Sequence, residues 1–156
     1  MAKSMPEAFP QYEVSSYAKP TYRGNHNINY WQGGNYIGIG PASATRLNLN
    51  GHFLINENPR EIYLWQNLVK NKNDFSNFLT LKERASELII MGLRQTDGIN
   101  FSTFAQHVGD SFFNFVDKDM INRFAQQKLL FLDNDNIKVS REGMLVLDTI
   151  LLEIIK

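Results

Sequence analysis

The spacing of apolar residues changes character along the chain. Between residues 11 and 57 it is short-range: "QYEVSSY" (11–17) is β-branched and aromatic and stops before Lys19-Pro20, as a strand does where proline removes a backbone donor. "NYIGIG" (35–40) follows the Gly33-Gly34 turn, ends at Pro41 and is expected to be a second extended run. From residue 58 the period becomes helical. Asn58 is a good N-cap, Pro59 suits the first helical position, and Ile62, Trp65, Leu68 and Val69 recur on one side, which predicts a core-facing helix. After the polar interval "KNKNDFSNF", Thr80 and Glu83 form a capping box at the head of "LKERASELIIMGLRQ". There Leu81, Ala85, Leu88 and Ile89 make the next stripe, which Asp97-Gly98 ends.

The last forty residues carry an ordered set of signals. "DKDMINRFAQQ" (117–127) reads as a helix, "LLFL" and "IKV" flank the turn "DNDN" as a hairpin, and Ser140 caps a final helix with Leu147, Leu151 and Ile155 inward. Helix, hairpin, helix is the outline of a winged-helix module. Its charge argues against a nucleic-acid partner: residues 117–156 hold six basic and seven acidic side chains, with Asp133 and Asp135 at the turn itself. Phosphate binding requires a basic face, so a docking or structural module is the expected role. The turn is not a calcium loop either, because the sixth position from Asp133 is Lys138 and the twelfth is Met144, where glycine and glutamate are needed.

Composition narrows the chemistry further. With 156 residues, 43% of them hydrophobic, one core is expected, and 16 basic against 16 acidic residues give no field to attract an anionic partner. The chain has no cysteine, which removes thiolate zinc sites, disulfides, iron–sulfur ligation and cysteine nucleophiles together. "MAKSMPEAFPQ" lacks the apolar stretch of a signal peptide, and "MLVLDTILLEIIK" is short and interrupted by Asp148 and Glu153. No integral membrane segment is expected, and the compartment is read as the cytoplasm.

The densest candidate is "RGNHNINYWQGGNYIGIGP" (23–41). As extended chain it puts His26, Ile28 and Tyr30 on one side; as helix it brings His26 and Tyr30 together at i and i+4. Imidazole is a common axial ligand of heme iron, asparagine amides orient rings, and indole or phenol rings offer flat walls to a porphyrin. Lys19, Arg23 and Arg46 are the candidate propionate contacts. The plainer alternative is a core histidine satisfied by a backbone carbonyl, with Tyr30 and Trp31 as packing rings. "GIGPAS" (38–43) has the form of a phosphate loop, but Pro41 has no N–H to offer, so Gly38 and Gly40 mark only a close approach to a neighbouring cofactor. His52 and His107 show no ligand spacing.

The order of "QYEVSSYAKPTYRGNHNINYWQGGNYIGIGP", "LTLKERASELIIMGLRQTDGI" and "INRFAQQKLLFLDNDNIKVSREGMLVLD" resembles the C-terminal portion of the oxygen-independent coproporphyrinogen III oxidase-like radical S-adenosylmethionine proteins, in the HemW-type heme chaperone branch. The resemblance runs from about Gln11 to the end. It implies an HNxxYW heme-binding motif at His26, Asn27, Tyr30 and Trp31, with His26 on the iron. It implies an α+β chain in which residues 1–57 are the last strands of a partial β/α barrel and residues 58–156 are a helical, winged-helix-like C-terminal domain. The sequence departs from that family at Ala42 and Ala44, where relatives often have glycine and histidine, and in lacking the CxxxCxxC motif. The [4Fe–4S] cluster and S-adenosylmethionine are thus expected only in the full-length family, and this chain alone is not expected to run radical catalysis. Its expected partners are heme or porphyrin and the barrel half, or another copy met through exposed strand edges. The alternatives are one part of a split coproporphyrinogen III dehydrogenase and a stand-alone winged-helix binding module.

Overall fold

The computed structural model describes residues 9–71 and 77–156; the expectations placed on residues 1–8 and on most of the polar interval lie outside them. The run expected as one strand over 11–17 is a tight hairpin, β1 (Gln11–Glu13) and β2 (Ser16–Tyr17). The Glu13 carboxylate folds it back by accepting hydrogen bonds from the Ser15 N–H and from the Ser15 and Ser16 hydroxyls at 2.9–3.1 Å. A 3-10 turn at Pro20–Tyr22 leads into helix α1 (Asn25–Trp31).

The second expected strand does not form. Of residues 35–40 only Tyr36 pairs, in a single bridge to Arg46. Gly40 (φ +97°) and Ala42 (φ +58°) turn the backbone away. The Gly38 N–H donates to Thr45 Oγ1 at 3.0 Å, a side-chain contact in place of a ladder bond. Strands β3 (Ala44–Leu49) and β4 (His52–Glu57) then pair across Asn50-Gly51, both with positive φ, which is the two-residue turn that matches strand twist. β5 (Asn77–Leu79) adds to the other side of β4, giving the order β3-β4-β5. Every strand pair among the described residues is antiparallel. Where barrel strands were expected up to residue 57 there are hairpins, because a two-residue link cannot make the crossover a parallel pair needs.

Helix α2 (Ile62–Lys70) starts later than Asn58. The Asn58 amide instead donates to the Gly40 carbonyl and the Ser43 hydroxyl, both at 2.9 Å, and its backbone N–H to Ser43, so it belongs to the loop. The helix does not face a core. It has no buried residue; Ile62, Tyr63 and Val69 are 57%, 82% and 58% exposed, and Trp65 and Leu68 are half-buried.

The core lies in the second half. Helix α3 (Leu81–Leu93) begins at the Thr80–Glu83 capping box and buries Ala85, Leu88, Ile89 and Leu93, while Leu81 is left 44% exposed at its end. β6 (Ile99–Asn100) is followed by α4 (Phe101–Val108), a 3-10 turn at Phe112–Asn114, and α5 (Lys118–Gln126), which Asp117 caps through the Asp119 and Met120 N–H groups. The hairpin β7 (Leu130–Leu132) and β8 (Asn136–Val139) forms as expected, with β6 completing a sheet of order β6-β8-β7. Its turn is organised by Asp133, whose carboxylate accepts the Asp135 and Asn136 N–H groups at 2.8 and 2.7 Å. The final helix is two pieces, α6 (Arg141–Met144) and α7 (Leu147–Ile154), with Ser140 capping the first through the Gly143 N–H. A Cβ on Gly143 would stand 2.2 Å from the Leu129 carbonyl oxygen, so only glycine lets α6 sit this close to the chain entering β7. Leu147, Ile150, Leu151 and Ile154 close the core, and Ile155 is half-buried. No helix among the described residues is long and apolar enough to cross a membrane.

Candidate functional site

The chain from Asn25 to Trp31 is helical, so the helical alternative holds. His26 and Tyr30 meet one turn apart, with ring centroids 4.2 Å apart at 66° and the Tyr30 hydroxyl 2.5 Å from His26 Nε2. Tyr36 extends this arrangement, its ring 4.2 Å from that of Tyr30 at 63°. Burial pushes the Tyr36 hydroxyl above the ordinary tyrosine value, the nearby Arg46 charge offsetting only part of that rise. Three rings therefore stand in edge-to-face sequence, His26 outermost and exposed.

The other two motif residues point elsewhere. A helix turns about 100° per residue, so Asn27 and Trp31 share a face away from His26. Asn27 is half-buried, and Trp31 packs on Tyr12 at 5.8 Å between centroids. Trp31 also lines a cavity of about 370 Å³ whose other walls include Leu88, Gln95, Phe104 and His107. Burial, and secondarily the Arg84 charge, lowers the His107 pKa below the ordinary histidine value, which favours its neutral form. The structure thus brings His26 and Tyr30 together and separates them from Trp31.

The three candidate cations differ in their surroundings. Arg23 is ion-paired with Asp97 at 2.5 Å and lies over the Tyr12 ring. Arg46 holds both Glu57 and Glu87 at 2.8 Å, and these carboxylates raise its pKa against the opposing effect of burial. Lys19 is exposed, 5.9 Å from the centre of the Phe9 ring. Gly38 is packed against Ala44, where a Cβ would lie 2.3 Å from the carbonyl oxygen, while the space beside Gly40 is open.

Sequence reasoning passed over Arg84, Glu87 and Tyr36. Arg84 sits inside the apolar stripe of α3 and donates to the Gly33 carbonyl at 2.6 Å, just past the end of α1. A cation at a stripe position was the available signal, since an arginine there needs a buried acceptor. Tyr36 gave none, because its partner Tyr30 is set by a loop conformation.

The α+β chain therefore combines an exposed histidine–tyrosine helix with a helix–hairpin–helix core. Residues 79–146 match the family described as the HemN C-terminal domain. The chain is 31% identical to radical S-adenosyl methionine domain-containing protein 1, mitochondrial, of Dictyostelium discoideum, over 95% of this chain and 38% of that protein. It is 27% identical to the heme chaperone HemW of Bacillus subtilis, over 94% of this chain and 38% of the relative. Coproporphyrinogen III oxidase (HemN) from Escherichia coli, a radical SAM enzyme, shares the fold with a TM-score of 0.60 at 15% identity, over 93% of this chain and 36% of that one. The chain spans under two fifths of the length of each.

Proposed function

We propose that this chain handles heme, binding it at the exposed face of α1 as one part of a HemW-like protein. The observation that carries the reading is the His26–Tyr30–Tyr36 ring series, built on the HNxxYW order of His26, Asn27, Tyr30 and Trp31. A metal-ligating imidazole is normally held through its second nitrogen. With Nε2 engaged by the Tyr30 hydroxyl, Nδ1 is the nitrogen offered to iron, which requires the tautomer in which Nε2 carries the proton and donates to Tyr30. The exposed Ile37 and Ile39, which follow Tyr36 in the chain, supply apolar surface for the macrocycle, and Lys19 is the candidate for a propionate. Heme is cargo in this reading, bound and passed on.

The iron–sulfur cluster does not fit these residues, because 156 positions without cysteine offer no thiolate. Radical chemistry would have to be supplied by other residues, on a barrel half in the same protein or a separate chain, with which residues 9–57 associate. The second half acts as the winged-helix-like docking unit. Hydrogen bonds from the Asp135 and Asn136 N–H groups hold the Asp133 carboxyl below the usual range, so the wing tip is anionic at neutral pH and suits a protein partner better than a nucleic acid.

A hemin titration followed at the Soret band tests the reading. Saturable binding that weakens and changes spectrum in His26→Ala is expected. Identical behaviour of the two proteins would remove His26 as the ligand.

A further inference from the structure

We infer that Arg84, on α3 and away from the exposed ring face, is the positioning residue for the His26–Tyr30 pair. It holds the end of α1 directly and braces the ring series through Glu87 and Arg46. The functional meaning of this brace rests on His26 as iron ligand, while the brace itself is present without heme.

Helix α1 does little to place itself. It buries no residue and its N-cap, Gly24, supplies no side-chain bond. Its C-terminal end is placed by α3. Gly33 leaves the helix at φ +77°, and a Cβ there would lie 2.4 Å from Leu88 Cδ2 and 2.7 Å from Arg84 Nη2. The backbone therefore rests on α3 with no side chain between them, and the Gly33 carbonyl takes the 2.6 Å bond from Arg84 Nη2.

The same guanidinium reaches the other side of the motif. Arg84 Nη1 donates to Glu87 Oε2 at 2.8 Å, and Glu87 Oε1 accepts from Arg46 Nε at 2.8 Å. Arg46 and Tyr36 exchange backbone hydrogen bonds of 2.9 and 3.0 Å, and the Tyr36 ring abuts Tyr30, which abuts His26. One side chain thus controls both the helix that carries His26 and the ring behind it.

The energetics agree with a positioning role. Arg84 is only 5% exposed, its charge lies 5.2 Å from the centre of the Phe53 ring, and its Nε is buried without a partner among the described residues. An apolar residue in the stripe of Ala85, Leu88 and Ile89 would avoid both the desolvation of the cation and the unanswered N–H. What it would lack is the reach to Gly33 and Glu87.

The test uses the full chain. In Arg84→Met, without heme, the NMR cross-peaks between the His26 and Tyr30 rings should be lost, and hemin affinity should fall about 10- to 100-fold, as when a ligand's supporting partner is removed. The Soret band should move toward that of His26→Ala, a change that general loss of stability in a protein still folded by circular dichroism does not produce. Arg84→Lys, which keeps the charge but reaches one acceptor, should be intermediate; Glu87→Gln cuts the Arg46 arm and serves if the methionine variant does not fold. A folded Arg84 variant with unchanged ring cross-peaks and hemin spectrum overturns the inference. If His26→Ala binds hemin normally while Arg84→Met loses the cross-peaks, the heme reading fails and the brace stands.

Discussion

Residues 9–71 bury two apolar side chains below the surface, Tyr12 and Phe53, whereas residues 77–156 bury eighteen, from Ala85 to Ile154. The first region is held largely by polar ties to the second. Arg23 meets Asp97, Arg46 meets Glu87, Gly33 meets Arg84, and the Val14 N–H donates to the Arg94 carbonyl while the Thr96 N–H donates to that of Tyr12. Apolar burial is roughly proportional to area and supplies most folding free energy, while each exchanged hydrogen bond contributes about 1 kcal/mol. The helix–hairpin–helix half is therefore the folding unit, and the half with the ring series is attached to it. A binding surface built on such a region can move without opening the core.

The comparison breaks first at the core. Phe112 is 1% exposed, so Phe112→Ala should lower the urea-unfolding free energy by about 3–5 kcal/mol and abolish both halves together. Glu13 probes the attachment. Burial raises its pKa, but hydrogen bonds from Ser15 and Ser16 and the Arg94 charge outweigh that, leaving it below the ordinary glutamate value. A carboxyl depressed in the folded state stabilises above its unfolded pKa, and that contribution is lost as pH falls through the folded value. Glu13→Gln should lose about 1.5 kcal/mol at pH 7, and thermal melts of variant and parent should converge below pH 4.5. Ser140→Ala removes one N-cap in the core half and should cost about 1 kcal/mol, measured the same way. Tyr63→Ser on the exposed side of α2 should change stability by no more than about 0.5 kcal/mol. A larger loss there would mean that α2 is packed in solution and that the contrast between the halves is overstated.

What was legible in the sequence follows the range of each interaction. The capping box at Thr80 and the cap at Ser140 were readable because a cap is made within four residues. The hairpin of β7 and β8 was readable for the same reason. Asn50-Gly51, the turn of the β3–β4 hairpin, is an equally local signal. The false strand at 35–40 had suitable residues, yet its ladder partner was a tertiary matter, and the turn at Gly40 and Ala42 took the backbone elsewhere. Asn58 had the chemistry of a cap and spent it on Gly40 and Ser43, 18 and 15 residues away, which no local rule reveals.

For the candidate site, the sequence by itself determined the residue types and the i, i+4 relation that lets His26 and Tyr30 touch, because helical geometry follows from spacing. It also determined that no cysteine thiolate is present and that the turn between β7 and β8 carries Asp133 and Asp135. Tertiary structure decided which way each face points. It turned Trp31 toward Tyr12 and the cavity, set Tyr36 behind Tyr30, left the apolar side of α2 without a core, and placed Arg84 under Gly33. The physical reason is that a side chain's partners across fifty residues depend on how elements pack, and packing is a property of the whole set of buried surfaces rather than of any one segment.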